Sequence, residues 1–471
     1  MFNLAETTAG ARFRARRSRP WPCYTGAMAR PEITAEGLRV AIGFPSAVML
    51  VIGGIVGVGI FVNPAVVARG LHSPGLVLAA WGLGGLIALL GAFVYAEHAA
   101  RIPATGGEYV YLRDTYGPLA GFLYGWTTLL VVQAGGMAAV AIIFARNLDV
   151  LVGGGLSEPA VVVAALAALA AVNCLGVRSG NWVQTSLGAL RVMAIGAIIV
   201  AGLLLVPHAG AVSPAAAPAT GLLKTFGAAM IPVVFSYGGW QTANFVAGEI
   251  KDPARNLARA LVAGVIAVVA LYLLVNIACL RALGVEALGR TPTPASDVLQ
   301  HTIGSAGARL AAAAIALSAI AFMSQSILTG PRVSFAMARD GLFFRKVAEL
   351  GETSRAPAIA IVLQAVWTGV LALSGSYEQI LSYVIAMNFL FFGLSASCLF
   401  ILRRRQRSAG PAEVEAGFRV PGHPWTTGLF ILACIVVIAA SFWAYPINSL
   451  IGYAILLLGV PPYLYWRNRS R

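Results

Sequence analysis

Apolar runs of about twenty residues, nearly free of charge, follow one another along almost the whole of this chain. Runs of that length and composition read as membrane-spanning helices, since about 20 residues at 1.5 Å each cross the hydrocarbon layer. Twelve are counted, near 45–70, 75–100, 117–146, 159–177, 182–206, 221–249, 259–281, 305–331, 357–375, 380–402, 425–443 and 447–466. Only 11% of residues are charged, against about 25% in a soluble domain. The expected fold class is an all-α integral membrane protein with twelve transmembrane helices and no room for a soluble domain.

The charge pattern orients those helices. With both termini inside the cell and the loops alternating, 26 of the 33 Lys and Arg fall inside. Six fall outside (Arg69, Arg146, Lys224, Arg281, Arg290, Arg309) and one, Arg191, lies within a span. Such a bias is the positive-inside rule, so the net charge of +15 reads as topology. The bilayer is the expected partner, and no nucleic acid is. Residues 1–40 form a basic cytoplasmic tail expected to be disordered, or an arm on anionic lipid. It has no apolar h-region, which argues against a signal peptide, and either Met1 or Met28 suits as the start. Residues 41–405 are expected to form a ten-helix core and 406–424 a cytoplasmic loop, with 425–471 holding the last two helices and a basic end. The five cysteines lack metal-ligand spacing, so no metal, cofactor or disulfide framework is expected.

Two of the runs are interrupted about half a chain apart, at Gly57-Val58-Gly59 and at Ser236-Tyr237-Gly238-Gly239-Trp240. In lipid every backbone N–H and C=O needs a partner, so unwound backbone survives there only around a cavity or inside protein. Paired breaks in the two halves of a chain point to a transporter's substrate site. Helix 1 is expected from Phe44 to about Val56, resuming at Ile60 with Pro64 near the start of its second half. Helix 6 is expected from Leu222 to Phe235, resuming near Trp240. Helix 1 starts inside and helix 6 outside, so helices 1–5 and 6–10 read as inverted repeats. With 52 glycines in the chain, a single Gly-x-Gly also fits close helix packing.

At these residues the chain resembles the amino acid–polyamine–organocation (APC) superfamily, most closely its L-type amino acid transporter branch and bacterial relatives. Gly57-Val58-Gly59-Ile60-Phe61-Val62-Asn63-Pro64 is similar to the family's G-x-G-I-F-x-x-P. Tyr95-Ala96-Glu97 through Pro103-Ala104-Thr105-Gly106-Gly107-Glu108-Tyr109 is similar to its first cytoplasmic loop. Phe235 to Trp240, followed by Asn244-Phe245, Glu249, Asp252-Pro253 and Arg255-Asn256-Leu257, resembles its helix 6 signature. Arg332 and Ala338-Arg339-Asp340-Gly341 resemble the end of its helix 8. The resemblance implies the leucine-transporter-type fold, with five plus five inverted helices and helices 1 and 6 broken. It also implies an amino acid permease working by alternating access in the cell membrane, the bacterial inner membrane in a bacterium.

A free amino acid carries a carboxylate and an ammonium. Helix N-termini offer unpaired N–H groups and a positive dipole end to the first, and carbonyls at a helix C-terminus accept the second. The backbone of Gly57, Val58 and Gly59 is expected to hold the carboxylate, and the carbonyls of Ile55, Val56, Phe235 and Ser236 the amine. Gly238, with Gly239, lets the backbone unwind and joins the substrate-binding set. Family members often carry a hydroxyl or small residue where Val58 stands, so here the carboxylate would rely on backbone alone. The resemblance implies that Phe235 is the aromatic gate; ordinary packing is the other reading. Tyr237 and Trp240 either line the pocket or pack helix 6.

Arg191 lies near the middle of helix 5, where a charge costs on the order of 3 kcal/mol on insertion scales. It falls where proton-coupled members of the family carry a Lys in place of a sodium ion. An arginine stays protonated, so Arg191 is expected to brace helix 1 as a fixed charge, making transport sodium-independent; the other reading is a structural charge. Glu97 and Glu249 are expected near cytoplasmic helix ends, paired with Arg101, Arg255 or Arg332 as an inward gate, or solvated. His98 is expected at the interface. No acid stands at the centre of a span, which favours neutral amino acids over polyamines or cationic metabolites. A non-transporting amino acid sensor would share every motif, whereas no nucleophile–base set or H-E-x-x-H motif supports an enzyme. The loop at 149–158 lacks the Cys that joins animal L-type transporters to a heavy chain, so no disulfide-linked heavy chain is expected. Exchange, uniport and proton symport all remain open.

Overall fold

The computed structural model describes residues 34, 37–205, 221–304, 306–374, 377–409, 417–444 and 446–469. The tail expected at 1–40 falls almost wholly outside them, as does 410–416 of the expected loop. Every named element is helical, and no strand occurs among the described residues. The first half comprises α1 (Phe44–Ile55), α2 (Gly59–Leu71), α3 (Pro74–Arg101), α4 (Glu108–Tyr116), α5 (Pro118–Thr127), α6 (Gln133–Val152), α7 (Glu158–Cys174) and α8 (Val177–Val200). A π turn at Thr128–Val132 joins α5 to α6. The second half begins with α9 (Leu222–Ser236) and a 3₁₀ segment, Trp240–Glu249. After it come α10 (Pro253–Arg290), α11 (Pro294–Ile303), α12 (Ala306–Thr329), α13 (Pro331–Arg339) and α14 (Ala358–Ser374). The chain closes with α15 (Tyr377–Ala409), α16 (Trp425–Ala444), α17 (Pro446–Leu457) and α18 (Val460–Arg469).

Eight helices among the described residues are long and apolar enough to cross a membrane. The pair α1 and α2, bent by 43° at its break, makes a ninth if taken as one span, and α7 and α14 are shorter apolar helices. Prolines open α3, α5, α7, α10, α11 and α13, where a missing N–H leaves no hydrogen bond unmade. Pro64 differs from the expectation. Because α2 already starts at Gly59, Pro64 lies inside the helix, past the first turn, and removes the bond its N–H would make to the Ile60 carbonyl.

Packing puts the breaks at the centre. α1 is surrounded by α8, α10, α12 and the 3₁₀ segment, and α10 runs along α3. Outward-facing residues are apolar: Trp182 and Met193 on α8, Ile435 and Trp443 on α16, and Ile447 on α17 are all exposed. An uncovered apolar surface of this kind suits lipid rather than water. His98 corrects the interfacial expectation. It is fully buried, stacked on Tyr111 with ring centroids 4.6 Å apart, and its Nε2 lies 2.8 Å from the Ser395 carbonyl.

Candidate functional site

α1 stops at Ile55 because Val56 leaves helical geometry (φ −73°, ψ 99°), and α2 begins three residues later at Gly59. α9 ends at Ser236. Gly239 then takes φ +107°, a conformation that costs a side chain dearly and glycine little. Beyond it the chain winds as 3₁₀ over Trp240–Glu249, in two short pieces meeting at a kink at Val246 (φ −103°, ψ 19°), in keeping with the short runs usual for this helix. The two breaks touch. A Cβ on Gly239 would overlap the Gly54 carbonyl, and one on Gly59 would come within 2.9 Å of Ser236 Oγ.

Side chains from outside the breaks tie them together. Tyr272 of α10 shares its hydroxyl proton between the carbonyls of Ile55 (3.2 Å) and Ser236 (3.1 Å). Asn63 Nδ2 of α2 donates to Ser236 Oγ (2.7 Å) and to the Pro232 carbonyl (3.1 Å). Ser318 of α12 donates to the Gly57 carbonyl at 3.1 Å.

Between the breaks lies a cavity in which about 90 Å³ is open to the centres of water-sized guests. By the same measure a single water needs about 10–15 Å³. Its walls include the backbone of Ile55, Gly57, Val58 and Gly59 on one side and of Phe235, Ser236 and Gly238 on the other. The amides of Gly57, Val58 and Gly59 donate to no acceptor among the described residues, as expected where a helix begins. Four side-chain amides (Gln133, Gln241, Gln325, Asn388) and four aromatic rings (Phe235, Phe322, Phe389, Phe392) also line the cavity, with Thr242 and Ser326. No charged side chain lines the cavity among the described residues. Gln325 is held by Thr242, to which its Nε2 donates at 2.7 Å, while its Oε1 is buried without a partner.

Other residues singled out from the sequence lie off the cavity. The Val56 carbonyl turns away to accept a hydrogen bond from Arg191 Nη1, which also reaches the Gly53 carbonyl at 3.4 Å. Arg191 is fully buried, and its Nε and Nη2 have no partner among the described residues. Tyr237 packs edge-on to Trp81, with centroids 5.8 Å apart, and beside Tyr272. Trp240 packs on Tyr95, Phe392 and Phe430.

The two acids expected near helix ends are buried rather than solvated. Glu249 is bidentate to Arg332, with Nε–Oε1 2.7 Å and Nη2–Oε2 3.1 Å, and both side chains are 0% exposed. Arg332 thereby ties α13 to the end of the 3₁₀ segment. The Glu249 carbonyl also accepts from the Ala41 and Ile42 amides at 3.0 Å, so the strand of chain entering α1 is held at the same place. Glu97 takes Arg101 (2.7 Å), both arms of Arg403 (2.9 and 2.6 Å) and the Val420 amide (2.7 Å). Arg255 forms no ion pair among the described residues.

The sequence does not single out Tyr272, Gln133, Gln325 or Asn388, and it shows Asn63 only within a motif. Each is a polar side chain inside an otherwise apolar helix, and that rarity was the available signal. Glu108, fully buried among hydroxyls, was read only as part of a motif.

Comparison with known proteins agrees with this geometry. The family model described as "Amino acid permease" matches residues 42–461. The serine/threonine exchanger SteT of Bacillus subtilis is 31% identical over 92% of this chain and 98% of its own length. The human large neutral amino acids transporter small subunit 2 is 29% identical, covering 98% of this chain and 88% of its own. The mouse b(0,+)-type amino acid transporter 1 is 27% identical over 89% of this chain and 85% of its own. These relatives are transporters, not enzymes, and the chain belongs with them to the amino acid permeases of the APC superfamily.

Proposed function

We propose that this permease is a secondary transporter moving small neutral amino acids, serine and threonine among them, by sodium-independent alternating access. Uptake proceeds by exchange or is linked to protons. The observation that carries the reading is the uncharged cavity between two helix breaks, one of which presents three unpartnered amides. A carboxylate suits the amides of Gly57, Val58 and Gly59. The ammonium suits the carbonyls of Ile55, Phe235 and Ser236. Each already accepts one hydrogen bond, but a carbonyl has two lone pairs. Val56 leaves this set because it does not line the cavity and its carbonyl faces the Arg191 cation, which would repel an ammonium. The cavity is rich in side-chain amides, and its about 90 Å³ must hold the whole amino acid, which favours a small polar side chain. That matches the substrate printed in SteT's name. Phe235, only half-buried at the cavity wall, is the proposed gate.

Around that site the proposed architecture has twelve spans as five plus five inverted helices and two more, in the cell membrane with both termini inside. The bent α1–α2 pair and the α9–3₁₀ pair would be the first helix of each repeat. Glu249–Arg332 and Glu97–Arg101–Arg403 close the inner side. The loop at 149–158 has no cysteine, so the transporter works without a disulfide-linked heavy chain.

Thermal-shift measurement against the twenty amino acids and a polyamine panel tests the substrate class. At 100 times its dissociation constant a ligand adds about 2.7 kcal/mol, and stabilisation by serine, threonine and other small neutral amino acids is expected. A response to polyamines alone, or to nothing in the panel, defeats the assignment. Uptake into proteoliposomes then separates a transporter from a sensor, and replacing sodium by choline is expected to leave it unchanged.

Arg191 is the proposed brace for α1. Its cation sits at the carbonyl end of that helix, the negative end of the dipole, and holds Val56 and Gly53 in place. Arg191→Ala is expected to weaken serine binding by about 1.5–3 kcal/mol, roughly 12- to 160-fold, the range for hydrogen bonds from a charged group. Arg191→Lys should retain most of it. Wild-type affinity and transport in the alanine variant would remove Arg191 from the mechanism.

A further inference from the structure

Three acids among the described residues are fully buried, and two of them, Glu97 and Glu249, are bound to arginines. Glu108 is different. It opens α4, between the spans α3 and α5–α6, and among the described residues its carboxylate meets only hydroxyls: Tyr95, Tyr124 (2.6 Å) and Ser395 (3.3 Å). Among the described residues the titratable groups facing it are Tyr95 of α3, Tyr111 of α4, Tyr124 of α5, Cys398 of α15 and Cys434 of α16, with His98 of α3 packed against Tyr95 and Tyr111. No lysine or arginine pairs with it among the described residues. A buried carboxylate without a cation is costly, and taking up a proton is its ordinary way out. Burial pushes the Glu108 carboxyl up to about 7, against the downward pull of the Tyr124, Tyr95 and Ser395 hydroxyls.

The hydroxyl cage connects to the helix 6 break. Tyr95, which donates to Glu108, packs edge-on against Trp240 with centroids 4.7 Å apart. Tyr111, on the next turn of α4, donates to Asn244 Oδ1 at 3.1 Å. Trp240 and Asn244 both belong to the 3₁₀ segment that follows Gly239. If that segment withdraws, Tyr95 loses its backing, the carboxylate loses a donor, and its proton affinity rises.

We propose that Glu108 is a proton-binding site whose occupancy is coupled, through Tyr95–Trp240 and Tyr111–Asn244, to the helix 6 break and so to amino acid binding. The coupling rests on the transport reading above; the proton site does not. The proton is exchanged with water, and no bond other than the carboxyl O–H forms or breaks. Between the ordinary carboxylate value and about 7 the folded chain holds more protons here than the unfolded chain. The site's contribution to stability therefore falls as pH rises through that window.

Infrared difference spectra of the purified full-length chain between pH 5.5 and 8.5 read the site directly. A protonated-carboxyl C=O band that titrates near neutral pH and is missing in Glu108→Gln is expected. No such band, or one that survives in the glutamine variant, overturns the proton site. Tyr124→Phe keeps the ring and removes a donor, so it serves if Glu108→Gln does not fold. Its band should titrate higher by roughly one to two pH units, the worth of a hydrogen bond to a charged group, and an unmoved midpoint overturns the cage. Saturating serine should shift the wild-type midpoint, since coupling is reciprocal. Bound serine with an unmoved midpoint overturns the link to the break. A titrating band with no amino acid binding at all leaves the proton site standing, and it is the transport reading that fails.

Discussion

Arg332→Ala is expected to cost about 3–5 kcal/mol of folding stability, the largest loss of any single side chain considered, because it strands a buried carboxylate. Glu249 and Arg332 are both sealed from solvent and hold each other through two hydrogen bonds. Removing the guanidinium leaves Glu249 with a full charge in a medium that cannot solvate it. Arg332→Lys keeps the charge but loses the planar fork that matches a carboxylate, so an intermediate loss is expected. The decisive comparison is the double variant Glu249→Leu with Arg332→Met, which removes both charges and keeps apolar volume. It should recover most of the stability, since the penalty lies in the unpaired partner. Thermal and denaturant unfolding in detergent read all three. Equal losses in the single and double variants would show that packing around α13, not the charge, sets the cost. In the proposed cycle this pair is also the inner gate, and the stable double variant should bind serine yet transport it abnormally.

Much of this molecule is legible in its sequence. Membrane helices announce themselves because lipid demands long apolar runs, and the break at Gly57-Val58-Gly59 was placed to within a residue or two of the observed Val56–Val58 gap. The Glu249–Arg332 and Glu97–Arg101 pairs were named as candidates, but not their burial. Depth is set by how neighbouring helices pack, and position along one helix does not report it. His98 shows the same failure: near a helix end in sequence, it lies stacked beneath Tyr111. The 3₁₀ winding after Gly239 was not foreseen either, because Trp240–Glu249 has no local feature excluding an α-helix. The segment packs against α1 and kinks at Val246, and neither feature is written in its local sequence. The side-chain wall of the cavity was the least legible part. Gln133, Gln325 and Asn388 come from three helices, and nothing in one sequence says that they converge.

Gly239→Ala should abolish high-affinity amino acid binding, and the argument needs only backbone. At φ +107° a residue with a side chain is strained by about 1–3 kcal/mol. The new methyl would also overlap the Gly54 carbonyl, which belongs to the helix backbone of α1. A flexible side chain would move aside; a helix backbone does so only by carrying its neighbours with it. Relief therefore comes by separating the two breaks, which opens the cavity between the Gly57–Gly59 amides and the Phe235–Ser236 carbonyls. Binding of a carboxylate and an ammonium at fixed separation tolerates little of that, and a loss of more than about tenfold, 1.4 kcal/mol, is expected. Gly238→Ala is the control. Its added methyl would meet the Phe235 carbonyl at 3.3 Å, and its φ lies outside the left-handed range, so only a modest loss is expected. Titration calorimetry with serine on both variants decides the matter. If Gly239→Ala binds as well as Gly238→Ala, the breaks need not touch, and the substrate site lies elsewhere than between them.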